Sequence, residues 1–554
     1  MTNGGARETA AGGAAHAPRG TALSCKGWEQ EAALRMLMNC ADPDVTWRPE
    51  GTAAAGSAEK AARDGDGFRE TLAALRELEG DQTLLVRSGQ PVGMFRTQAE
   101  APRVVIATTT EGVANSKESA TASWLCVGTQ TGLPTAYEAF AAVARKHFGG
   151  TLAGRLVVGG GMGVAGGALP LAATLHGAAF LGVEADSEQI KRRVKSGYCE
   201  AMVNDLDEAL RILKNSVRRR EAASVGLIGN CAEAIPELAR RGIVPDVLVD
   251  CTSAYGSLDG YIPSGLTAEP ARELRRADTE GAESDRQRAL DSVAAQVRGI
   301  LELRQLGSLV FQFSRGLGAG AQADGVPQAS EIPDFAAEYI EPLEAEGRGL
   351  LLWVALSGEP ADIARADRLA LDLFSIDEAA TRWIRLAGKH VQFQGLPARV
   401  CLVEKALRAS FGLALNGLVA QGALKAPMVI GCDDFGAGTG APRITEAGTP
   451  RITRTAAPPA PPAAETNVCP DAAPNRAALD AVLAGLSARA SVASWVAIED
   501  RNSGSAGESR LTRLAIVADG TAEMARKIEG VLGNDSGESF AQPPDAGSAA
   551  APHG

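Results

Sequence analysis

Aromatic residues make up only 4% of this chain of 554 residues, and there are just five histidines and five tyrosines. So thin a supply leaves little material for the imidazole-based catalytic sets of hydrolases, and no HExxH or nucleophile-elbow GxSxG in strand-to-helix context occurs. The nine cysteines include no pair at CxxC spacing and their number is odd, which excludes a disulfide framework or zinc module and predicts reduced thiols in a cytoplasmic protein. No metal site is expected. Basic residues are outnumbered: 55 Lys and Arg against 67 Asp and Glu give a net charge of -12, which argues against a nucleic-acid partner. No basic segment leads into an apolar run near Met1, so no signal peptide is expected.

What the chain does have is 45% hydrophobic residues and 63 glycines, enough for two to four globular domains at roughly 100–200 residues each. The stretch from Leu156 to Val183 carries no Asp, Glu, Lys or Arg, but its eight glycines, Pro170 and His176 break it into blocks. It reads as two buried strands around a helix rather than a membrane span, and no membrane partner is expected. Residues 1–18 read as a polar, disordered arm and 535–554 as a disordered tail. Thr21 to Asn39 and Phe68 to Leu78 show helical spacing, and Gln82 to Arg96 reads as strand, turn, strand about Ser88-Gly89. From about residue 135 to 340 helices alternate with short apolar strands at Leu156–Val158, Phe180–Glu184, Ser224–Ile228, Val247–Val249 and Leu309–Phe313, which predicts βαβ units around a parallel sheet. Glu269 to Leu303 reads as one long surface helix. Leu351 to Leu356 reads as a buried strand within 341–534, where a Pro-rich stretch over 443–470 is expected to be a solvated connection.

One motif carries chemistry. Gly161-Met-Gly163-Val-Ala-Gly166 follows an apolar run and precedes a helix, and Glu184 closes the next apolar run 23 residues after Gly161. In a dinucleotide fold such glycines permit a tight turn and close approach of backbone to pyrophosphate, while the acid receives ribose hydroxyls. The competing reading is a packing turn with an ordinary exposed Glu. His176 reads as a packed core residue, His16 and His553 as parts of the arms. Cys251 and Cys432, at strand ends, read as small buried apolar groups that could also face a ligand.

The segments Arg19–Glu31, Leu84–Val105, Phe148–Asp186, Gly226–Pro263, Trp353–Pro360, Phe393–Cys401 and Ile516–Thr521 together resemble the urocanase family in the same order along the chain. The resemblance implies an α/β protein in which a Rossmann-like NAD-binding domain (135–340) is inserted into a larger mixed α/β core domain (19–134 and 341–534). It also implies a homodimer and NAD+ used as an electrophile in the hydration of urocanate to imidazolone propionate, a hydro-lyase reaction of histidine catabolism. Gly56, Gly161, Gly163, Gly166, Glu184, Asn230, Thr252, Ser253, Ala254 and Tyr261 fall where the family holds NAD. Elsewhere the sequence departs from the pattern. Ala55-Gly56-Ser57 stands for Tyr-Gly-Gly, Glu118 for a Gln near the nicotinamide, and Phe313-Ser-Arg-Gly-Leu-Gly318 for Tyr-Gly-Asn-Asn-Ile-Arg. Leu352 stands at the family's substrate-gripping arginine, Ala437 at its signature cysteine, and Glu499 to Ser503 at its His-His-Gly-Gly-Gly run. The expectation is a divergent lyase on urocanate or a related small molecule. The alternatives are an inactive paralogue serving as a binding or partner subunit and, more remotely, an ordinary NAD dehydrogenase, for which no acid/base pair is visible.

Overall fold

The computed structural model describes residues 16–46, 66–110, 123–163, 166–252, 261–276, 279–313, 326–434, 479–480, 483, 486, 489–501 and 509–533. Two sheets organise them. The first has eight strands: β1 (Gln82–Arg87), β2 (Gln90–Arg96), β3 (Val104–Thr110), β10 (Arg348–Ala355), β11 (Ala398–Glu404), β12 (Met428–Asp434), β13 (Trp495–Arg501) and β14 (Ser509–Ala518). Their order is β11-β10-β12-β14-β13-β3-β1-β2, mixed in direction, with β3 parallel to both β1 and β13. The second sheet is wholly parallel: β4 (Leu156–Gly160), β5 (Ala179–Glu184), β6 (Ala201–Val203), β7 (Ala223–Ile228), β8 (Val247–Asp250) and β9 (Leu309–Gln312), in the order β6-β7-β5-β4-β8-β9.

The parallel strands are buried on both faces, which is why they read as unbroken apolar runs rather than alternating ones. Val157, Phe180, Val247, Val249 and Phe311 point into a core shared with the large sheet, while Val158, Leu181, Leu248 and Val310 point into a second core under the outer helices. The apolar contact between the two parts includes Tyr137 against Trp383, with ring centroids 5.1 Å apart. The β1–β2 hairpin turns on Ser88 (φ 47°) and Gly89 (φ 78°), the double left-handed conformation that suits strand twist. Asp186, Asp205 and Asn230 cap the helices that follow them by accepting backbone N–H bonds.

Several expectations change. The expected single surface helix over 269–303 is two helices, Ala268–Arg276 and Thr279–Gln305, and the second is a core element. Val293, Val297 and Ile300 are fully buried, and Gly299 lies against Pro236 of the helix Cys231–Arg240. Its many charges on the other face masked this short apolar stripe. The first helix starts at Trp28 rather than Thr21, and the short strand β6 lacks the apolar run that would reveal it. His16, read as part of the arm, instead packs on the fold, its Nδ1 2.7 Å from the Asp42 carboxylate. The stretches 443–470 and 535–554 lie outside the described residues. Among the described residues no helix is long and apolar enough to cross a membrane.

Candidate functional site: a glycine turn at the switch point

β5 and β7 lie on one side of β4, and β8 and β9 on the other, so the chain crosses over between β7 and β8. The carboxyl ends of β4 and β8 therefore flank a topological switch point, the place where open parallel sheets form a ligand crevice. The three motif glycines have three different surroundings there. Gly161 adopts φ 77°, and a Cβ on it would come within 3.1 Å of the Cys251 carbonyl oxygen and the Thr252 Cα. Gly166 is more constrained, since a Cβ there would lie 1.8 Å from the Gly161 oxygen. A Cβ on Gly163 would meet no atom of a described residue within 4 Å. Thus the first glycine makes the turn, the last allows the chain to pack back on it, and the middle one borders open space.

Glu184, at the end of β5, faces this turn. Its Oε2 accepts the Met162 N–H at 2.8 Å and its Oε1 the Asp186 N–H at 2.9 Å. Burial pushes the carboxyl's pKa up, and these two N–H groups pull it back. Each oxygen keeps a further lone pair for a hydroxyl donor.

Arg193, on the helix Ser187–Lys195, supports the turn from behind and was not singled out by the sequence. It is 5% exposed, and its Nε donates to the Met162 oxygen (3.1 Å) and Nη2 to the Gly163 oxygen (3.2 Å). Its Nη1 donates to the Thr129 hydroxyl. Burial lowers its pKa to about 10, so it stays charged at neutral pH. The signal for it was its spacing from Ile190, at i+3 on the inward face, which the adjacent Arg192 disguised as a solvated basic run.

Behind the switch point lies a buried polar chain. Asp250 Oδ1 accepts the Thr252 N–H (2.9 Å) and hydroxyl (2.6 Å), and Oδ2 accepts Gln296 Nε2 at 2.8 Å. Burial raises the Asp250 pKa to about 6 despite these bonds. Tyr261, 2% exposed, donates its hydroxyl to Gln296 Oε1 at 3.0 Å. Asn230 caps its helix through Ala232 N–H and donates to the Ile262 oxygen at 2.8 Å. The structure thus brings Gly161, Gly163, Gly166, Glu184 and Thr252 to one turn, and ties Tyr261 to Thr252 through Gln296. Gln296 was missed because it sits in a highly charged helix. Gly56, Glu118, Ser253, Ala254 and Ala437 lie outside the described residues.

The region around Leu352 in the large sheet has a different character. Leu352 on β10 is 7% exposed, and its Cδ2 and the Leu125 methyls lie over Gly431 of β12. Cys432 beside it is buried, as are the other seven described cysteines, and none of the eight forms a disulfide. Phe313 donates its N–H to the Asp250 oxygen at 2.7 Å. His176 stacks on Tyr137 with centroids 4.4 Å apart and its Nε2 is 2.9 Å from the Tyr137 oxygen; burial lowers its pKa to about 4, the behaviour of a packed core histidine. Beside the helix that carries Arg193, whose Arg192 donates to the Pro43 oxygen at 3.0 Å, His16, Asp42 and Asp44 gather ligand atoms within 4.8 Å, but Arg19 shares their cavity and disfavours a cation.

A parallel sheet with this strand order, a Gly-x-Gly-x-x-Gly turn at its switch point and an acid closing the neighbouring strand define a Rossmann-like domain. Three family models match the chain in succession: the urocanase N-terminal domain over residues 15–120, the urocanase Rossmann-like domain over 128–339, and the urocanase C-terminal domain over 342–449 and 454–553. The chain belongs to the urocanase family. Among solved structures, an L-tryptophan dehydrogenase from Nostoc punctiforme aligns with 44% of this chain and 69% of its own at 12% identity, with a TM-score of 0.16. That superposition is too poor to bear on the assignment.

Proposed function

We propose that this protein holds NAD in its Rossmann-like domain and carries out urocanase-type hydro-lyase chemistry on a small unsaturated substrate other than urocanate. The observation that carries the first half is the glycine turn. Among the described residues nothing lies against its middle glycine while the other two are sterically required, and Glu184 is held against the turn at the end of β5, which supports a role toward a ribose. Bound there, NAD+ would supply an electrophilic nicotinamide ring. The chain's own part would be to seat the cofactor through Gly163 and Glu184 and to present the substrate from the core wall.

The second half rests on Leu352. A leucine packed with Leu125 over Gly431 offers no charge and no hydrogen bond to a carboxylate. Losing one charged partner for an anion costs on the order of 2–5 kcal/mol, more than tenfold in binding. The substrate favoured here is therefore uncharged or cationic at this subsite. The close packing of Leu352 itself favours a second reading, a non-catalytic paralogue that keeps the cofactor site and acts as a partner subunit. In either case we expect a cytoplasmic homodimer. Mass spectrometry of small molecules released from the purified, denatured protein tests the common premise. About one NAD per chain supports it; a folded protein that carries none and takes up none on addition removes it.

A further inference from the structure

In a trans peptide the C=O and N–H point in opposite directions. The Met162 carbonyl points at Arg193 Nε, so the Gly163 N–H of the same peptide points away from the guanidinium. That N–H has no protein acceptor among the described residues. It lies on the residue whose Cβ position is open. An unused donor aimed into free space beside a buried cation is an arrangement that favours an anion. The helix after the turn, Leu169–Thr174, is only six residues long, and among the described residues the guanidinium of Arg193 is the positive group bonded to the turn.

We infer that Arg193 is a positioning residue for a diphosphate: by holding the Met162 and Gly163 carbonyls behind the turn, it aims the Gly163 N–H at the anion and contributes its charge through one layer of backbone. This rests on the dinucleotide reading above and extends it to a residue outside the glycine motif. Arg193 also ties the turn to the segment before the Rossmann-like sheet. Its Nη1 reaches Thr129, whose N–H donates to Gln394 Oε1 at 2.8 Å, on the connection leading into β11. Cofactor seating is thereby coupled to the contact with the large sheet. Only a planar fork can serve the two carbonyls and the hydroxyl together.

The test is calorimetric titration of the full-length protein, stripped of small molecules, with NAD, ADP-ribose and adenosine. Arg193→Met should weaken NAD and ADP-ribose about 30-fold or more while changing adenosine less than about threefold. Arg193→Lys, which keeps charge without the fork, should fall between, and Thr129→Val should cost about threefold for NAD because both carbonyl bonds remain. A purely structural role would weaken adenosine in parallel with the diphosphate ligands, and that result would overturn the inference, as would unchanged NAD binding by Arg193→Met. If Arg193→Met does not fold, the same ratio read on Arg193→Lys decides. Wild-type protein that binds none of the three ligands refutes the dinucleotide reading itself, a different failure from an unaltered ratio in the variants.

Discussion

In the proposed function the glycine turn and the Leu352 patch form two walls of one site, and they are held by different constraints. On the Rossmann-like side Gly161 and Gly166 each have a distinct steric reason to be glycine, and Glu184 bonds to the turn between them. On the core side Leu352, which the family resemblance puts at an anion-gripping arginine, is packed in apolar contact over Gly431. Backbone geometry at the first wall is fixed by neighbours only 1.8–3.1 Å from a hypothetical Cβ, so drift there is penalised by folding as well as by function. At the second wall, an apolar side chain satisfies the fold whether or not any substrate is bound. Cofactor seating and substrate grip can therefore part company in one protein.

The contrast breaks most sharply at Gly166. Gly166→Ala puts a methyl 1.8 Å from the Gly161 oxygen, and should cost about 3 kcal/mol or more and abolish NAD uptake, read by chemical denaturation and by released NAD. Leu352→Arg probes the other wall. A cation forced among Leu125, Gly431 and the buried strands should destabilise the protein by about 3 kcal/mol, and that single change should restore no urocanate turnover.

A pH series sharpens the picture at the switch point. Burial holds the Asp250 pKa at about 6, above its unfolded value near 3.8, so its stabilising contribution is complete below about pH 4 and is lost as pH rises through 6. At 1.36 kcal/mol per unit the loss is about 2–3 kcal/mol. Asp250→Asn should flatten that slope in urea titrations across pH 4–7. The smallest effect on stability is expected at Gly163→Ala, within about 0.5 kcal/mol because the added methyl meets no atom of a described residue. The same substitution should nevertheless weaken NAD binding about tenfold, by filling the space the diphosphate would take.

The legible parts of this molecule were those where backbone rules dominate. Apolar runs marked β4, β5, β7, β8 and β9, and the spacing from Gly161 to Glu184 marked the turn and its acid. Elements stabilised by long-range burial were hidden. The helix Thr279–Gln305 looks solvated because only one stripe of it is apolar, and Gln296 hides within that stripe as the hub between Asp250 and Tyr261. Arg193 looks like half of a surface Arg-Arg pair, yet one residue further round the helix its guanidinium is buried under the turn. Polar side chains used internally leave a periodic trace that neighbouring charges mask, so the second layer of a site is what sequence reading loses first.

The most direct measurement is to mix the NAD-loaded protein with urocanate and follow the absorbance of its conjugated acrylate. With about one NAD per chain confirmed in the same sample, the expected result is no decay above the protein-free control. Steady, enzyme-proportional loss of that absorbance would show that Leu352 does not set the substrate, and would contradict the separation of the two walls.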